Sequence, residues 1–218
     1  MRSAPEAVLF DMDGTLFDSE VLWDAAINEL AASFGAVVPV EIRLAMVGTS
    51  MHDSVQLLHD GIGQPWRDGP ASAEWINERV GQLFETSLVW RPGARELLHA
   101  VRAAGVPTAL VTATPRKLVE LAVETAGRQN FDVLVCGDEV THTKPHPEPY
   151  ATAARLLGVD ITRCVAIEDS PTGVASAVAA GATVLAVPNH VPLEAGPRVT
   201  LRESLAGVGL ADLTALTG

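Results

Sequence analysis

Five short apolar runs, separated by Ala- and Leu-rich stretches of helical spacing, set the tightest limit on what this chain can fold into. The runs are Ala7 to Phe10, Val106 to Val111, Val133 to Cys136, Cys164 to Ile167 and Thr183 to Val187. Each is too short for an ordinary helix and lacks the polar alternation of a half-solvated strand, which marks a strand covered on both faces of a parallel sheet. Between most of them apolar residues recur at helical spacing, over Ala94 to Ala104, Arg116 to Ala126, Pro149 to Leu157 and Thr172 to Ala180. That alternation predicts an α/β fold with a doubly wound, Rossmann-like parallel sheet.

One interval breaks the rhythm. Later strands start about 20 to 30 residues apart, the size of a βα unit, but nearly a hundred residues separate Ala7 from Val106. The extra chain carries helical patterns at Val21 to Phe34, Ser50 to His59 and Ala73 to Phe84, joined by Gly/Pro-rich loops such as Gly61-Ile62-Gly63-Gln64-Pro65. The expected organisation is an α/β core of residues 1–17 and 89–218 with a small α-helical cap domain inserted as residues 18–88. After Pro188 the periodicity fades, and loops with a short closing element are expected there.

Charge narrows the partners. A net charge of −12 on 218 residues repels polyanions and argues against nucleic acid or an anionic membrane as ligand. No stretch approaches the roughly 20 apolar residues of a membrane span, and the run before Asp11 is too short for a signal-peptide core. A cytoplasmic protein with a small-molecule partner is expected. Cys136 and Cys164 each sit in an apolar run, where a free thiol behaves as a small buried hydrophobe; a structural disulfide is not expected.

In an open parallel sheet, ligands gather at the carboxyl ends of the strands, and four of those ends carry suitable polar residues. The first is Asp11-Met12-Asp13-Gly14-Thr15, two carboxylates at i and i+2 on a strand exit. A calcium loop of the EF-hand type would need an oxygen ligand, a glycine and a glutamate where this chain has Thr15, Leu16 and Leu22. The second is Thr112-Ala113-Thr114-Pro115, where the hydroxyl of Thr112 is either a ligand group or a helix cap. The third is Lys144 in Thr143-Lys144-Pro145-His146-Pro147, one of only two lysines, in a loop stiffened by proline. It is a candidate for holding phosphate, with a solvated loop lysine as the alternative. His142 and His146 flank it, but the intervening proline breaks the helical spacing of a metal-binding pair, and no metal role is expected of them. The fourth is Glu168-Asp169, followed by Ser170-Pro171-Thr172-Gly173. Adjacent carboxylates at a strand exit repel unless a cation lies among them, and with Asp11 they suit a hard ion such as Mg2+.

These four motifs, in this order and each after a strand, resemble the haloacid dehalogenase superfamily along the whole chain. The helical insert after the first motif resembles the subgroup that includes beta-phosphoglucomutases and the hexitol and 2-deoxyglucose-6-phosphate phosphatases. The resemblance implies a phosphoric monoester hydrolase in which Asp11 attacks phosphorus to form an aspartyl-phosphate and Asp13 serves as general acid and base. It implies Mg2+ on Asp11, the backbone carbonyl of Asp13 and Asp169, with Glu168 acting through water. Thr112, the backbone N–H of Ala113 and Lys144 would hold the phosphoryl oxygens. The implied partner is a small-molecule phosphate ester, taken up by a monomer or weak homo-oligomer.

Departures within the family separate its members. Asp13 favours phosphoryl transfer over carbon–halogen cleavage, and residues 18–88 hold no lysine for a phosphonoacetaldehyde-type Schiff base. The histidine and arginine that hold a second phosphate in beta-phosphoglucomutases align with Trp23 and Met51. Residues 18–88 carry 11 acidic residues against Arg43, Arg67 and Arg79, a poor setting for a second phosphate. The expected activity is therefore hydrolysis of a sugar or polyol monophosphate, with a phosphosugar mutase and an inactive phosphometabolite-binding module as alternatives. Trp23, Thr49, Ser50, His52 and Trp66 are candidates for contact with substrate, the tryptophans alternatively packing between helices.

Overall fold

The computed structural model describes residues 4–217; residues 1–3 and Gly218, the ends of the expected core ranges, lie outside the described residues. Six parallel strands form one sheet: β1 (Val8–Phe10), β2 (Thr108–Val111), β3 (Val133–Val135), β4 (Val165–Glu168), β5 (Thr183–Ala186) and β6 (Val199–Leu201), in the order β3-β2-β1-β4-β5-β6. Successive residues point to opposite faces. Val8, Phe10, Leu110, Val165, Ile167 and Leu185 join one buried cluster, while Leu9, Ala109, Val111, Ala166, Val184 and Ala186 join another. Both faces are covered over β1 to β5, so these strands are apolar along most of their length, which is why they were readable as runs.

Helices α5 (Ala94–Ala103), α6 (Arg116–Ala126) and α9 (Leu210–Leu216) contribute to the first cluster, and α7 (Glu148–Leu157) and α8 (Pro171–Ala180) to the second. The small Ala153 and Ala177 let α7 and α8 lie close to the strands. Helix α8 begins where Ser170 accepts the Gly173 N–H at 3.1 Å and Pro171 takes the first turn, a start signal that the sequence spells out.

Between β1 and α5 stand four helices, α1 (Glu20–Ser33), α2 (Val40–Met46), α3 (Met51–Gly61) and α4 (Gly69–Ser87). Their apolar residues, among them Leu22, Ile27, Val55, Leu58, Ile76 and Phe84, are continuous with the first cluster. The chain enters and leaves this segment side by side: Phe17 bridges Trp90 with ring centroids 4.7 Å apart, and the Asp18 N–H donates to the Val89 carbonyl. Thr172 Oγ1 also donates to the Gly48 carbonyl, tying the segment to the start of α8.

Three elements were not anticipated as such. Helix α2 has only Met46 buried among its seven residues. The tail after Pro188 contains β6, a half-exposed edge strand of three residues, and α9, whose Leu213 is buried. Among the described residues no helix is long and apolar enough to cross a membrane, and Cys136 and Cys164 are free and buried.

Candidate active site

Strand β1 lies between β2 and β4, so the chain departs from it in both directions and leaves a crevice at its carboxyl end. Phe10 is level with Leu110 on β2 and Ile167 on β4. The next residue is Asp11, and the register therefore sets its carboxylate beside the ends of both neighbours. Asp11, Asp13, Thr112, Ala113, Lys144 and Asp169 line one cavity, with Trp23, Arg43 and Thr49 of the helical segment across from them. Glu168 is fully buried beneath it.

Lys144 is buried, and its Nζ donates to Asp11 Oδ1 at 2.7 Å and to Glu168 Oε1 at 2.6 Å. Burial alone would lower its pKa, but the charges of Asp11 and Glu168 outweigh that and hold it above its ordinary value. Lys144 is thus a fixed cation at the strand ends, not a solvated loop residue. Glu168 is also held by donors on both oxygens: Tyr150 Oη gives to Oε1 at 2.6 Å, while the Asp169 N–H and Ser170 Oγ reach Oε2 at 3.3 Å. Its carboxylate rests directly on Gly173, where any Cβ would collide with it.

One ammonium does not balance three buried carboxylates. Burial, reinforced by Glu168 and Asp13 against the opposing Lys144, pushes the Asp11 carboxyl up to about 8. Burial and the neighbouring Asp11 and Glu168 hold Asp169 well above the carboxylate range. Carboxylate oxygens of Asp11, Glu168 and Asp169 lie within 4.8 Å of one another. Gly14, at φ +76°, lies against the Asp169 carboxylate where a side chain would clash. An all-oxygen, net-negative and preformed donor set fits a hard divalent cation such as Mg2+.

Asp13 is turned towards the helical segment. Its Oδ1 accepts from Ser19 Oγ at 2.6 Å and Trp23 Nε1 at 2.8 Å, and its Oδ2 from Thr114 Oγ1 at 2.6 Å and Thr112 Oγ1 at 3.3 Å. Thr112 Oγ1 also accepts the Thr114 N–H at 3.1 Å, closing a local turn ahead of α6 rather than capping that helix, whose cap position is Pro115.

Sequence reasoning missed Ser19, Glu20, Arg43, Thr114 and Tyr150. Glu20 and Arg43 line the cavity, and burial together with the charge of Asp13 raises the Glu20 carboxyl to about 7. Arg43 is ion-paired with Asp24 and stands on the unanticipated α2. Ser19 and Thr114 carried a readable signal, each as a hydroxyl just before a helical pattern. Of the candidates for substrate contact, Trp23 and Thr49 line the cavity; Ser50 instead caps α3 by accepting the Asp53 N–H, and Trp66 is 76% exposed. His142 and His146 come together after all, with ring centroids 4.5 Å apart on the outer side of the Lys144 loop.

Residues 5–181 match the family of haloacid dehalogenase-like hydrolases. The chain is 34% identical to hexitol phosphatase B of Escherichia coli K12 over 216 residues, covering 97% of this chain and 94% of that protein. The solved structure of CbbY from Rhodobacter sphaeroides in complex with phosphate is similar with a TM-score of 0.83 and 30% identity, covering 96% of this chain and 99% of that one. Beta-phosphoglucomutase from Clostridium difficile is similar in fold, with a TM-score of 0.85 at 21% identity over 98% of this chain and 97% of that one.

Proposed function

The chain belongs to the haloacid dehalogenase-like hydrolase family and is a phosphoric monoester hydrolase, and from that premise we propose that it hydrolyses the phosphate ester of an otherwise neutral sugar or polyol through an aspartyl-phosphate on Asp11. The observation that carries this reading is the meeting of Asp11, Asp13, Thr112, Lys144 and Asp169 in one cavity, with Lys144 2.7 Å from Asp11. Residues 18–88 act in this reading as a cap over the site, hinged where Phe17 bridges Trp90.

In the first displacement an Asp11 carboxylate oxygen attacks phosphorus, the bond from phosphorus to the sugar oxygen breaks, and Asp13 gives its proton to the departing alkoxide. In the second, Asp13 takes a proton from water as the water oxygen attacks phosphorus, releasing orthophosphate and the Asp11 carboxylate. Lys144, Thr112 and the Ala113 N–H hold phosphoryl oxygens where negative charge develops. Asp11, Asp169 and the Asp13 backbone carbonyl would hold Mg2+, which when bound supplies positive charge beside the phosphoryl group. Glu168, both of whose oxygens already accept protein donors, contributes by fixing Lys144 and its charge.

The helical wall favours one phosphate. Trp23, Ile27, Met46, Met51 and Ile76 supply apolar surface there, and its one cation, Arg43, is engaged by Asp24 beside Glu20. Hexitol phosphatase B, with which the chain aligns nearly end to end, carries in its name a substrate class of this kind. A panel of phosphorylated metabolites with Mg2+ should show release of orthophosphate from sugar or polyol monophosphates. Turnover confined to bisphosphates would overturn the one-phosphate reading, and isomerisation that needs a bisphosphate activator would favour a mutase instead.

The raised Asp11 carboxyl gives a pH signature. Burial favours a proton on this group up to about 8 in the cation-free protein, and that proton would have to leave for the carboxylate to hold Mg2+. Mg2+ affinity is expected to rise between about pH 6 and pH 9, with protons released on binding. Calorimetry in buffers of different ionisation enthalpy measures this directly, and an affinity independent of pH would contradict it.

A further inference from the structure

We propose that His142, His146 and Glu148 form a second cation site, distinct from the carboxylate site at the strand ends, which takes one borderline transition ion of the Zn2+ or Ni2+ class. The three side chains converge where the Lys144 loop turns into α7. His142 Nδ1 lies 3.0 Å from Glu148 Oε2, and His146 Nδ1 lies 4.0 Å from the same oxygen. Their ligand atoms all fall within 4.8 Å of one another. Two ligands about 2.1 Å from a tetrahedral ion are about 3.4 Å apart, and these two separations bracket that value.

The groups are built into place. Glu148 accepts the Thr141 N–H at 2.8 Å and the His142 N–H at 3.0 Å, which holds its carboxylate at the loop mouth. The His146 carbonyl accepts from Ser176 Oγ on α8 at 2.6 Å. His146 Nδ1 accepts the Glu148 N–H at 3.2 Å, so it already presents a lone pair on the inner side of the site. An incoming ion displaces the Nδ1 proton of His142, which moves to Nε2 or to solvent, and takes over that lone pair of His146. The one competing cation of the loop is turned away: Lys144 points inward to Asp11 and Glu168.

The chemistry separates the two sites. Two imidazoles and one carboxylate select Zn2+, Ni2+ or Co2+ over Mg2+, which prefers oxygen and gives up water reluctantly. An ion here ties positions 142, 146 and 148 together around Lys144 and stiffens the segment that carries it.

The test is calorimetric titration of Ni2+ into the full chain with Mg2+ in saturating excess. One equivalent should bind, at least about tenfold more weakly in His142→Asn and in His146→Asn, and undiminished in Asp169→Asn. Amide exchange over residues 141–148 should slow on adding Ni2+ in the unmodified protein and not in the histidine variants. Absence of binding, binding unaffected by both histidine substitutions, or binding lost in Asp169→Asn alone would each overturn the proposal.

Discussion

Asp11→Asn is expected to lower turnover by about 10^4-fold or more while leaving the cation-free protein at least as stable as before. The loss follows from the amide, which cannot attack phosphorus, so rapid-quench experiments should find no covalently phosphorylated protein in the variant. The stability follows from linkage. An unfolded aspartate gives up its proton near 3.9, whereas the buried Asp11 carboxyl keeps its proton up to about 8. Across that window the native state binds more protons than the unfolded state, so stability declines as pH rises. Asparagine removes the term, and Lys144 keeps Glu168 at 2.6 Å. With EDTA at neutral pH the variant should therefore melt no lower than the parent. With Mg2+ the order should reverse, because only the parent retains the full donor set. Substantial turnover by the variant would remove Asp11 from its role; a lower melting point in EDTA would mean that its pairing with Lys144 outweighs the cost of burying it.

The parts of this protein that could be read from its sequence share a physical cause. A strand buried on both faces is an unbroken apolar run, and whatever follows it is presented at the sheet's end. Asp11, Thr112, Glu168 and Asp169 were visible for that reason, and Lys144 because it is one of two lysines and sits in a loop stiffened by proline. The strand β6 and helix α2 were not, because a half-exposed edge strand of three residues and a helix with one buried side chain carry little periodicity. Arg43 was lost with α2. Tyr150 was hidden differently: its position on the buried face of α7 is ordinary, and only the fold brings its hydroxyl to Glu168. The proline that argued against a helical His142–His146 pair gave no information about a loop that curls back on itself. Trp23 was suspected as a substrate contact or as packing, and the structure shows its ring edge-on to Phe84 and its N–H on Asp13.

That last contact carries the second large effect, the response to Trp23→Phe. Asp13 must alternate between acid and base, and its two oxygens are not equivalent. Oδ2 is bonded by the hydroxyls of Thr112 and Thr114, which can turn to accept as well as donate. Oδ1 accepts from Ser19 and from the indole of Trp23, and an indole only donates. A proton on Oδ1 would face the Trp23 N–H across 2.8 Å, so the indole directs the proton to Oδ2. Phenylalanine keeps the edge-on packing against Phe84 but removes the donor. The loss of a hydrogen bond to a charged group is expected to cost about 10- to 100-fold in kcat/KM for alkyl phosphates, whose leaving oxygen needs the proton. Aryl phosphates with acidic leaving groups need no such help and should lose far less. The measurement is the ratio of alkyl to aryl kcat/KM in parent and variant, together with its pH profile. An equal fall for both substrates would show that Trp23 matters only through packing, and an unchanged ratio at full activity would show that Ser19 alone suffices to place the proton.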